Sequence, residues 1–140
     1  MKKILVINGP NLNMLGLREP HIYGNRTYAD LLEFITKKTK DIASVDFYQS
    51  NHEGDIIDKI QQARGVYDGI VLNAGGYTHT SVAIADAIPA SSVPTAEVHI
   101  SDITKRESFR HHSFLTPVCV TSIMGKGFDG YVEAIEFLVK

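Results

Sequence analysis

The sequence predicts an α/β fold, a flavodoxin-like three-layer sandwich in which a five-stranded parallel sheet lies between two layers of helices. Short apolar runs alternate along the chain with segments whose apolar residues recur at helical spacing. The runs at 4–7 and 69–72 are almost unbroken, which is typical of strands buried on both faces. We expect the strand order 2-1-3-4-5 because it places these two strands at the centre of the sheet.

Length and composition indicate a single domain, residues 1–140. Of the 140 residues, 44% are hydrophobic, which suffices for one core. The net charge is −2 and no basic block occurs, so we expect no nucleic-acid partner. The short apolar run near Met1 does not fit a signal peptide or a bilayer-spanning helix, which predicts a cytoplasmic protein with no membrane partner. Cys119 lies among apolar residues and is interpreted as a small core residue.

The first strand, predicted at 4–7, leads into an unusually long loop over residues 8–24. Loops of this length in compact domains are usually functional, and open α/β sheets bind ligands at the carboxyl ends of their strands. Gly16 and Gly24 bracket a segment that we interpret as a lid. Within it, Arg18 supplies a fixed cation and Tyr23 a phenol that this cation would help to ionise.

Each predicted helix combines an apolar stripe with a signal at one end. Thr27 followed by Asp30 is typical of a capping box, and the first helix then runs to a basic end at Lys38. The other predicted helices cover 55–63, ended by Gly65, 81–88, closed by Pro89, and 131–139, after a glycine-rich turn.

The remaining strands are predicted at 45–49, 69–72, 95–100 and 118–124, with a loop and a short helix at 101–113. In the fourth strand, Glu97 and His99 interrupt the apolar run. Alternate residues of a strand share a face, so these two side chains lie next to each other. The sequence therefore predicts a paired carboxylate and imidazole at this strand.

Polar residues follow the strands at the carboxyl edge of the predicted sheet. Because the carboxyl ends of parallel strands meet at one edge, we expect a binding site for a small polar molecule there. The strand ends direct Asn8, Asn11, Ser50, Asn51, Asn73, His99 and Ser101 to this edge, and Arg18, Tyr23, His79 and Arg110 lie on adjoining loops. The double glycine at 75–76 indicates a close approach of the backbone to another group.

Several cofactor motifs are missing from the sequence. Neither GxGxxG after the first strand nor GxxxxGK(S/T) occurs, so a dinucleotide or nucleoside triphosphate has no usual cradle. The six histidines lack the spacing of a metal site, and we predict neither a metal nor another cofactor. A Schiff base would need Lys105 or Lys126 from a loop. The residues favour acid–base chemistry.

Several longer motifs together resemble one enzyme family. They are Gly-Pro-Asn-Leu-Asn at 9–13, Leu-Gly at 15–16, Arg-Glu-Pro at 18–20 with Tyr-Gly at 23–24, Ser-Asn-His-Glu-Gly at 50–54, Asn-Ala-Gly-Gly-Tyr-Thr-His at 73–79, Glu-Val-His-Ile-Ser at 97–101 and Arg-Glu at 106–107 with Phe-Arg-His-His-Ser at 109–113. Nearly from end to end, the chain is similar to type II 3-dehydroquinate dehydratase. Asp102 departs from the pattern, because the family more often has asparagine there, and it adds a negative charge near the expected carboxylate site.

The resemblance implies the anti elimination of water from 3-dehydroquinate to give 3-dehydroshikimate. This is a step of the shikimate pathway, which leads to the aromatic amino acids, and it needs no metal, cofactor or covalent intermediate. Tyr23 would be the base, with its phenolate stabilised by Arg18. His99 would be the general acid, oriented by Glu97, and Asn11 would donate a hydrogen bond, through an ordered water, to the enolate oxygen.

The resemblance also implies a set of substrate-binding groups, namely Asn73, His79, the backbone amides of Ile100 and Ser101, and Arg110. Asp86 corresponds to a residue that reaches the site of a neighbouring subunit, which implies trimers assembled into a homododecamer. From its surroundings in the sequence alone, Asp86 would be a solvated residue on the helix at 81–88.

Three non-catalytic readings remain as alternatives. A flavodoxin-like electron carrier would need a hydroxyl-rich phosphate loop after the first strand, and a phosphoryl receiver would need an acidic pair there, whereas this loop is rich in asparagine and proline. A quinate-binding regulator would keep Asn73, His79 and Arg110 but would not need Tyr23 or Arg18.

Overall fold

The structure is a computed structural model that describes residues 1–17 and 25–140. The predicted sheet is confirmed: five parallel strands lie in the order β2-β1-β3-β4-β5. The strands are β1 (Lys2–Asn8), β2 (Ala43–Gln49), β3 (Gly69–Asn73), β4 (Thr95–His99) and β5 (Thr121–Met124). The α-helices of the described residues are α1 (Tyr28–Thr39), α2 (Glu53–Gln62), α3 (Val82–Ser91) and α4 (Asp129–Val139).

Helices cover the two faces of the sheet and create two cores. The first core lies under α1 and α4 and takes Val6 and Val98 from the sheet. The second core lies under α2 and α3 and takes Ile7 and Leu72. Each fully buried side chain of this kind stabilises the fold by about 1.5–3 kcal/mol. Alternation along each strand therefore decides which face every polar residue at the carboxyl edge will occupy.

The start of α1 confirms the predicted capping box. The Asp30 amide donates to Thr27 Oγ1 at 3.2 Å, and the Thr27 amide donates to Asp30 Oδ2 at 2.9 Å. Both bonds satisfy amides that would otherwise lack partners in the first helical turn.

The boundaries of two predicted elements are wrong. The strand predicted at 118–124 begins at Thr121, because Thr116–Val118 forms a 3-10 helix whose Pro117 suits a helix start. The helix predicted to close at Pro89 continues to Ser91, because a proline near the end removes only one hydrogen bond. Ser92 then ends it in the left-handed conformation, at φ 61°.

The segment at 101–113 contains two 3-10 helices, Ile103–Lys105 and Ser108–Arg110, where one short helix was predicted. Among the described residues, no helix has the length and apolar character required to cross a membrane.

Candidate active site

The floor of the site is built where the loops after β1 and β3 touch. The Gly9 amide donates to the Asn73 carbonyl at 2.7 Å, and a Cβ at Gly9 would lie 2.5 Å from the Ala74 carbonyl oxygen. Gly75 has a φ of +59°, and a Cβ there would lie 2.9 Å from the Pro10 carbonyl oxygen. Only glycine fits such backbone contacts, so the close approach predicted at 75–76 is made to the first loop, by Gly75.

A cavity of about 170 Å³ opens at the carboxyl ends of β1, β3 and β4. Its wall brings together seven of the predicted site residues, namely Asn11, Asn73, His79, His99, Ile100, Ser101 and Arg110. The walls are mostly polar, as expected of a site for a small polar molecule.

The pairing of Glu97 with His99 follows from strand geometry. Val98 points into the first core, so its two neighbours point to the other face. His99 Nε2 lies 2.6 Å from Glu97 Oε2, and Glu97 is 0% and His99 5% exposed. Because a carboxylate accepts, Nε2 carries the proton, and Nδ1 is the ring nitrogen available to a ligand.

The carboxylate of Glu97 is also held by three hydroxyl groups. Ser113 Oγ donates to Oε2 at 2.6 Å, while Thr116 Oγ1 and Ser122 Oγ donate to Oε1 at 2.6 and 3.0 Å. Burial alone would raise the pKa of Glu97, but the bond to His99, the charge of His99 and the bonds from Ser113 and Thr116 outweigh it and lower the pKa to about 2. Glu97 is therefore an anion at neutral pH.

His79 stands across the cavity with its tautomer defined. Its Nδ1 lies 2.8 Å from the His112 carbonyl oxygen, so Nδ1 carries a proton and donates it. Burial is the largest cause that lowers the pKa of His79, and the positive charges of Arg110 and Arg106 act in the same direction. The neutral ring therefore offers Nε2 as an acceptor, suited to a substrate hydroxyl.

Two guanidinium groups line the same cavity, those of Arg106 and Arg110. Arg110 Nε donates to Glu107 Oε2 at 3.1 Å, which holds the side chain at the rim. Together they give this wall a positive charge suited to a carboxylate or a hydroxyl-rich ligand.

A neutral network supports the floor on the other face of the sheet. Tyr131 Oη donates to Asn8 Oδ1 at 2.6 Å and accepts from Asn73 Nδ2 at 2.9 Å, and Asn73 Oδ1 accepts from the Gly75 amide at 3.1 Å. Asn8, Asn73 and Tyr131 are all buried, and we call them the amide cluster. These bonds fix which side of the Asn73 amide is oxygen and which is nitrogen.

Asn11 reaches the cavity from a strained backbone. Its φ is +70°, a left-handed conformation that asparagine tolerates better than most residues. The Asn11 amide donates to Asn51 Oδ1 at 3.0 Å, and Gln49 Nε2 donates to the same oxygen at 3.1 Å. The end of β2 thus holds the loop after β1 in place while the Asn11 side chain stays exposed at the cavity.

Some predicted residues lie elsewhere. Asp86 is exposed on α3, away from the cavity of this single chain. Arg18 and Tyr23 lie outside the described residues. Asp102 accepts from the Thr104 amide at 3.0 Å and caps a 3-10 helix instead of facing the cavity. Cys119 is half-buried against the second core, and burial followed by the charge of Glu97 raises its pKa to about 12.

The sequence did not single out Arg106, Tyr131 or the three hydroxyls around Glu97. Arg106 and Ser113 fall in recognised motifs, but a buried carboxylate gives no sign of which donors will surround it. Across residues 1–17 and 25–140, no cluster of three His, Cys, Asp or Glu side chains is placed to hold a metal ion.

Comparisons of this chain with a family model and with known proteins point to the same family. The family model described as dehydroquinase class II matches residues 2–139. A 3-dehydroquinate dehydratase 1 of Corynebacterium efficiens is 55% identical over 137 residues, which cover 97% of this chain and 91% of the relative. A catabolic 3-dehydroquinase 1 of Fusarium vanettenii is 51% identical, over 98% of this chain and 96% of the relative.

Solved structures agree with this match. A type II dehydroquinase from Butyrivibrio crossotus superposes with a TM-score of 0.97 at 53% identity, covering 99% of this chain and 98% of the other. The chain belongs to the class II dehydroquinase family.

Proposed function

We propose that this chain is a hydro-lyase that removes water from 3-dehydroquinate to give 3-dehydroshikimate, and that its residues 1–140 act as one catalytic domain. The family match and the names of the relatives support the activity. The observation that carries the mechanism is the buried pair of Glu97 and His99, which places a ring nitrogen at a polar cavity.

The reaction needs two proton transfers around an enolate. The substrate is a β-hydroxy ketone, so a base first removes the proton on carbon 2, and the electrons of that C–H bond move into the carbonyl to form the enolate. When the enolate collapses, the carbon–oxygen bond of the β-hydroxyl breaks. The hydroxide leaves as water if an acid protonates it in the same step.

His99 is the group that we assign to this second transfer. As an imidazolium it would donate from Nδ1 to the leaving hydroxyl, while Nε2 stays bonded to Glu97. The permanent charge of Glu97 stabilises the imidazolium and keeps the ring in one orientation. The acid is thereby supplied at the cavity wall without a metal.

We assign the first transfer to Tyr23, with Arg18 stabilising its phenolate. The support is the family motif at 18–24, and both residues lie outside the described part of the chain. A phenol ordinarily titrates near pH 10, and a neighbouring guanidinium favours its ionised form. Asn11, at the cavity, would hydrogen-bond through a water to the enolate oxygen.

The remaining wall groups would bind the ring substituents. We assign the substrate carboxylate to the backbone amides of Ile100 and Ser101, and the hydroxyls to Asn73, His79 and Arg110. The neutral His79 ring supports this, because its Nε2 accepts from a hydroxyl while its Nδ1 is held by His112. Asp102 is bonded to Thr104 and so does not compete with the carboxylate for these donors.

We also propose that the enzyme acts in the cytoplasm as a homododecamer built from trimers. In this assembly Asp86 of one subunit would approach the cavity of the next, which accounts for an exposed carboxylate on α3. Val82, on the same helix, is more than half exposed and would be covered in the interface. Light scattering on the purified protein measures the mass of the assembly. A monomer at micromolar concentration would contradict this proposal.

The activity is tested by the absorbance of the conjugated enone product. Purified protein mixed with 3-dehydroquinate should produce this absorbance rapidly, and the rate should survive both a chelator and prior treatment with borohydride in the presence of the substrate, which is when a Schiff base would form and be reduced. Loss with chelator would indicate a metal, and loss with borohydride would indicate a Schiff base. Tight substrate binding without turnover would favour a regulator instead.

A further inference from the structure

Four hydrogen bonds converge on the buried carboxylate of Glu97, although orienting a histidine requires only one of them. Apart from His99, the donors are the hydroxyls of Ser113, Thr116 and Ser122, which we call the hydroxyl cage. Each carboxylate oxygen accepts two bonds, so both are fully occupied.

We propose that the hydroxyl cage positions Glu97 and sets how readily His99 gives up its proton. This inference rests on the proposed function, in which His99 is the acid, and it makes Ser113, Thr116 and Ser122 positioning residues that act through Glu97.

The cage affects His99 because it changes the free energy of the buried Glu97 anion that remains when His99 releases its proton. A buried carboxylate bonded to an imidazolium alone would retain that proton strongly, because releasing it would leave a nearly bare anion in a medium of low dielectric. Three hydroxyl donors stabilise the same anion whether or not His99 is charged. Because the cage stabilises the Glu97 carboxylate, the carboxylate depends less on a charged His99, and His99 is a stronger acid than it would be without the cage.

The local structure around each of the three cage residues directs its hydroxyl group to Glu97. Ser113 Oγ already accepts from the Leu115 amide at 3.1 Å and the Thr116 amide at 3.3 Å, which directs its own proton to Glu97. Ser122 is the residue of β5 in register with Glu97. Thr116 is the first residue of the 3-10 helix Thr116–Val118, and its hydroxyl lies 2.6 Å from Glu97 Oε1.

Other titratable groups face this pair from the surrounding elements. Cys119, on the segment after the 3-10 helix, has a pKa raised to about 12 by burial and by Glu97, so its thiol stays neutral. Leu72, the register neighbour on β3, does not titrate. His79 lies near His99 across the cavity, with Arg106 and Arg110 beside it. The experiment must therefore follow the titration of the His99 ring separately from that of the His79 ring.

The test is the titration of the His99 ring, followed by NMR on protein with labelled histidine and assigned with His99→Asn. Thr116→Val removes one cage hydroxyl at nearly constant volume. We expect His99 to keep its proton to higher pH, by about one pH unit, which is the size expected for one lost hydrogen bond. In the dehydration assay, kcat should fall several-fold with KM within twofold, and the basic limb of its pH profile should move in the same direction.

Two controls separate this effect from a loss of packing. Thr39→Val removes another buried hydroxyl, bonded to the Ile35 carbonyl at 2.8 Å on α1, and should leave the His99 titration unchanged. Thr116→Ser keeps the hydroxyl and should restore the titration of the original protein. If Thr116→Val does not fold, Ser122→Ala removes the second donor to Oε1 and is measured in its place.

An unchanged His99 midpoint in a folded cage variant, or a shift to lower pH, would overturn the proposal even if kcat fell. The titration does not depend on turnover. An original protein without dehydratase activity would therefore contradict the proposed function, while the midpoints would still report on the cage.

Discussion

The two faces of the sheet end in buried polar clusters of opposite character. On the face under α1 and α4, the amide cluster of Asn8, Asn73 and Tyr131 has no formal charge, and the Tyr131 hydroxyl bonds to both amides. On the face under α2 and α3, Glu97 and His99 form a pair that includes a permanent anion. Both clusters lie at the carboxyl edge, next to the same cavity.

This difference in charge gives the two clusters different roles, one in shaping the site and one in transferring a proton. A neutral network cannot easily gain or lose a proton, so it fixes the shape of the floor and the orientation of the Asn73 amide. A carboxylate joined to an imidazole can exist with one or two ring protons, so it can deliver a proton to a substrate. We therefore expect changes in the charged cluster to affect the rate and the pH dependence of stability, and changes in the amide cluster to affect stability and substrate binding without a comparable loss of rate.

The largest effect should come from His99→Asn, which removes the acid but keeps a polar side chain. Loss of a general acid lowers kcat by roughly 10²–10⁴-fold. Steady-state kinetics on 3-dehydroquinate measures this change. His52→Asn is the matched control, because His52 is exposed at the start of α2 and outside the cavity, and it should keep its kcat. A kcat for His99→Asn within fivefold of the original would contradict the assignment of proton delivery to the charged cluster.

Next in size is the effect of Glu97→Gln on pH-dependent stability. The pKa of Glu97 is about 2 in the folded protein against an ordinary value of 4.5, so the carboxylate stabilises the fold above pH 4.5. This contribution, on the order of 2–3 kcal/mol, is lost as pH falls from 4.5 through 2.

Urea unfolding between pH 7 and pH 2.5 measures this contribution. The original protein should lose more free energy of unfolding over this interval than Glu97→Gln does. Equal slopes for the two proteins would show that Glu97 is not held as an anion in the fold.

A smaller effect is expected from Tyr131→Phe, which removes the hydroxyl shared by Asn8 and Asn73. The two amides lose that partner in a buried place, so the free energy of unfolding should fall by about 1–3 kcal/mol. Denaturant unfolding gives this value. In the dehydration assay KM should rise, because Asn73 lines the cavity, while kcat should stay within tenfold. A loss of kcat as large as that of His99→Asn would erase the contrast between the clusters.

The smallest effect should come from an ion pair on the surface. Lys37 Nζ lies 2.8 Å from Glu33 Oε1 on α1, and both side chains are mostly exposed. Because water screens such pairs, Glu33→Gln should change the free energy of unfolding by less than about 0.5 kcal/mol. A loss above 1 kcal/mol in the same unfolding assay would show that burial is not what makes the polar contacts of the two clusters stronger than this pair on the surface.

The sequence predicts local and periodic features well. The apolar runs give the strand order, and the period of two along β4 places Glu97 beside His99 without any knowledge of the rest of the fold. The edge of the sheet where polar residues gather follows from the same reasoning.

What the sequence does not predict depends on distant packing. Thr116 reaches Glu97 from a 3-10 helix just before the predicted strand, which the sequence did not indicate, and Tyr131 reaches Asn8 across 123 positions of the chain. A buried carboxylate requires donors, but its own position does not reveal which residues supply them. Asp86 depends on an assembly beyond one chain, so its assignment stays a prediction.

The most direct test of His99 as the general acid is hydrogen exchange at carbon 2 of 3-dehydroquinate, measured by NMR in deuterated water with His99→Ala. If His99 serves as the acid of the second step, the variant still forms the enolate, and exchange at carbon 2 should run far ahead of the appearance of product. Normal product formation with no excess exchange would contradict the account and remove His99 as the proton donor.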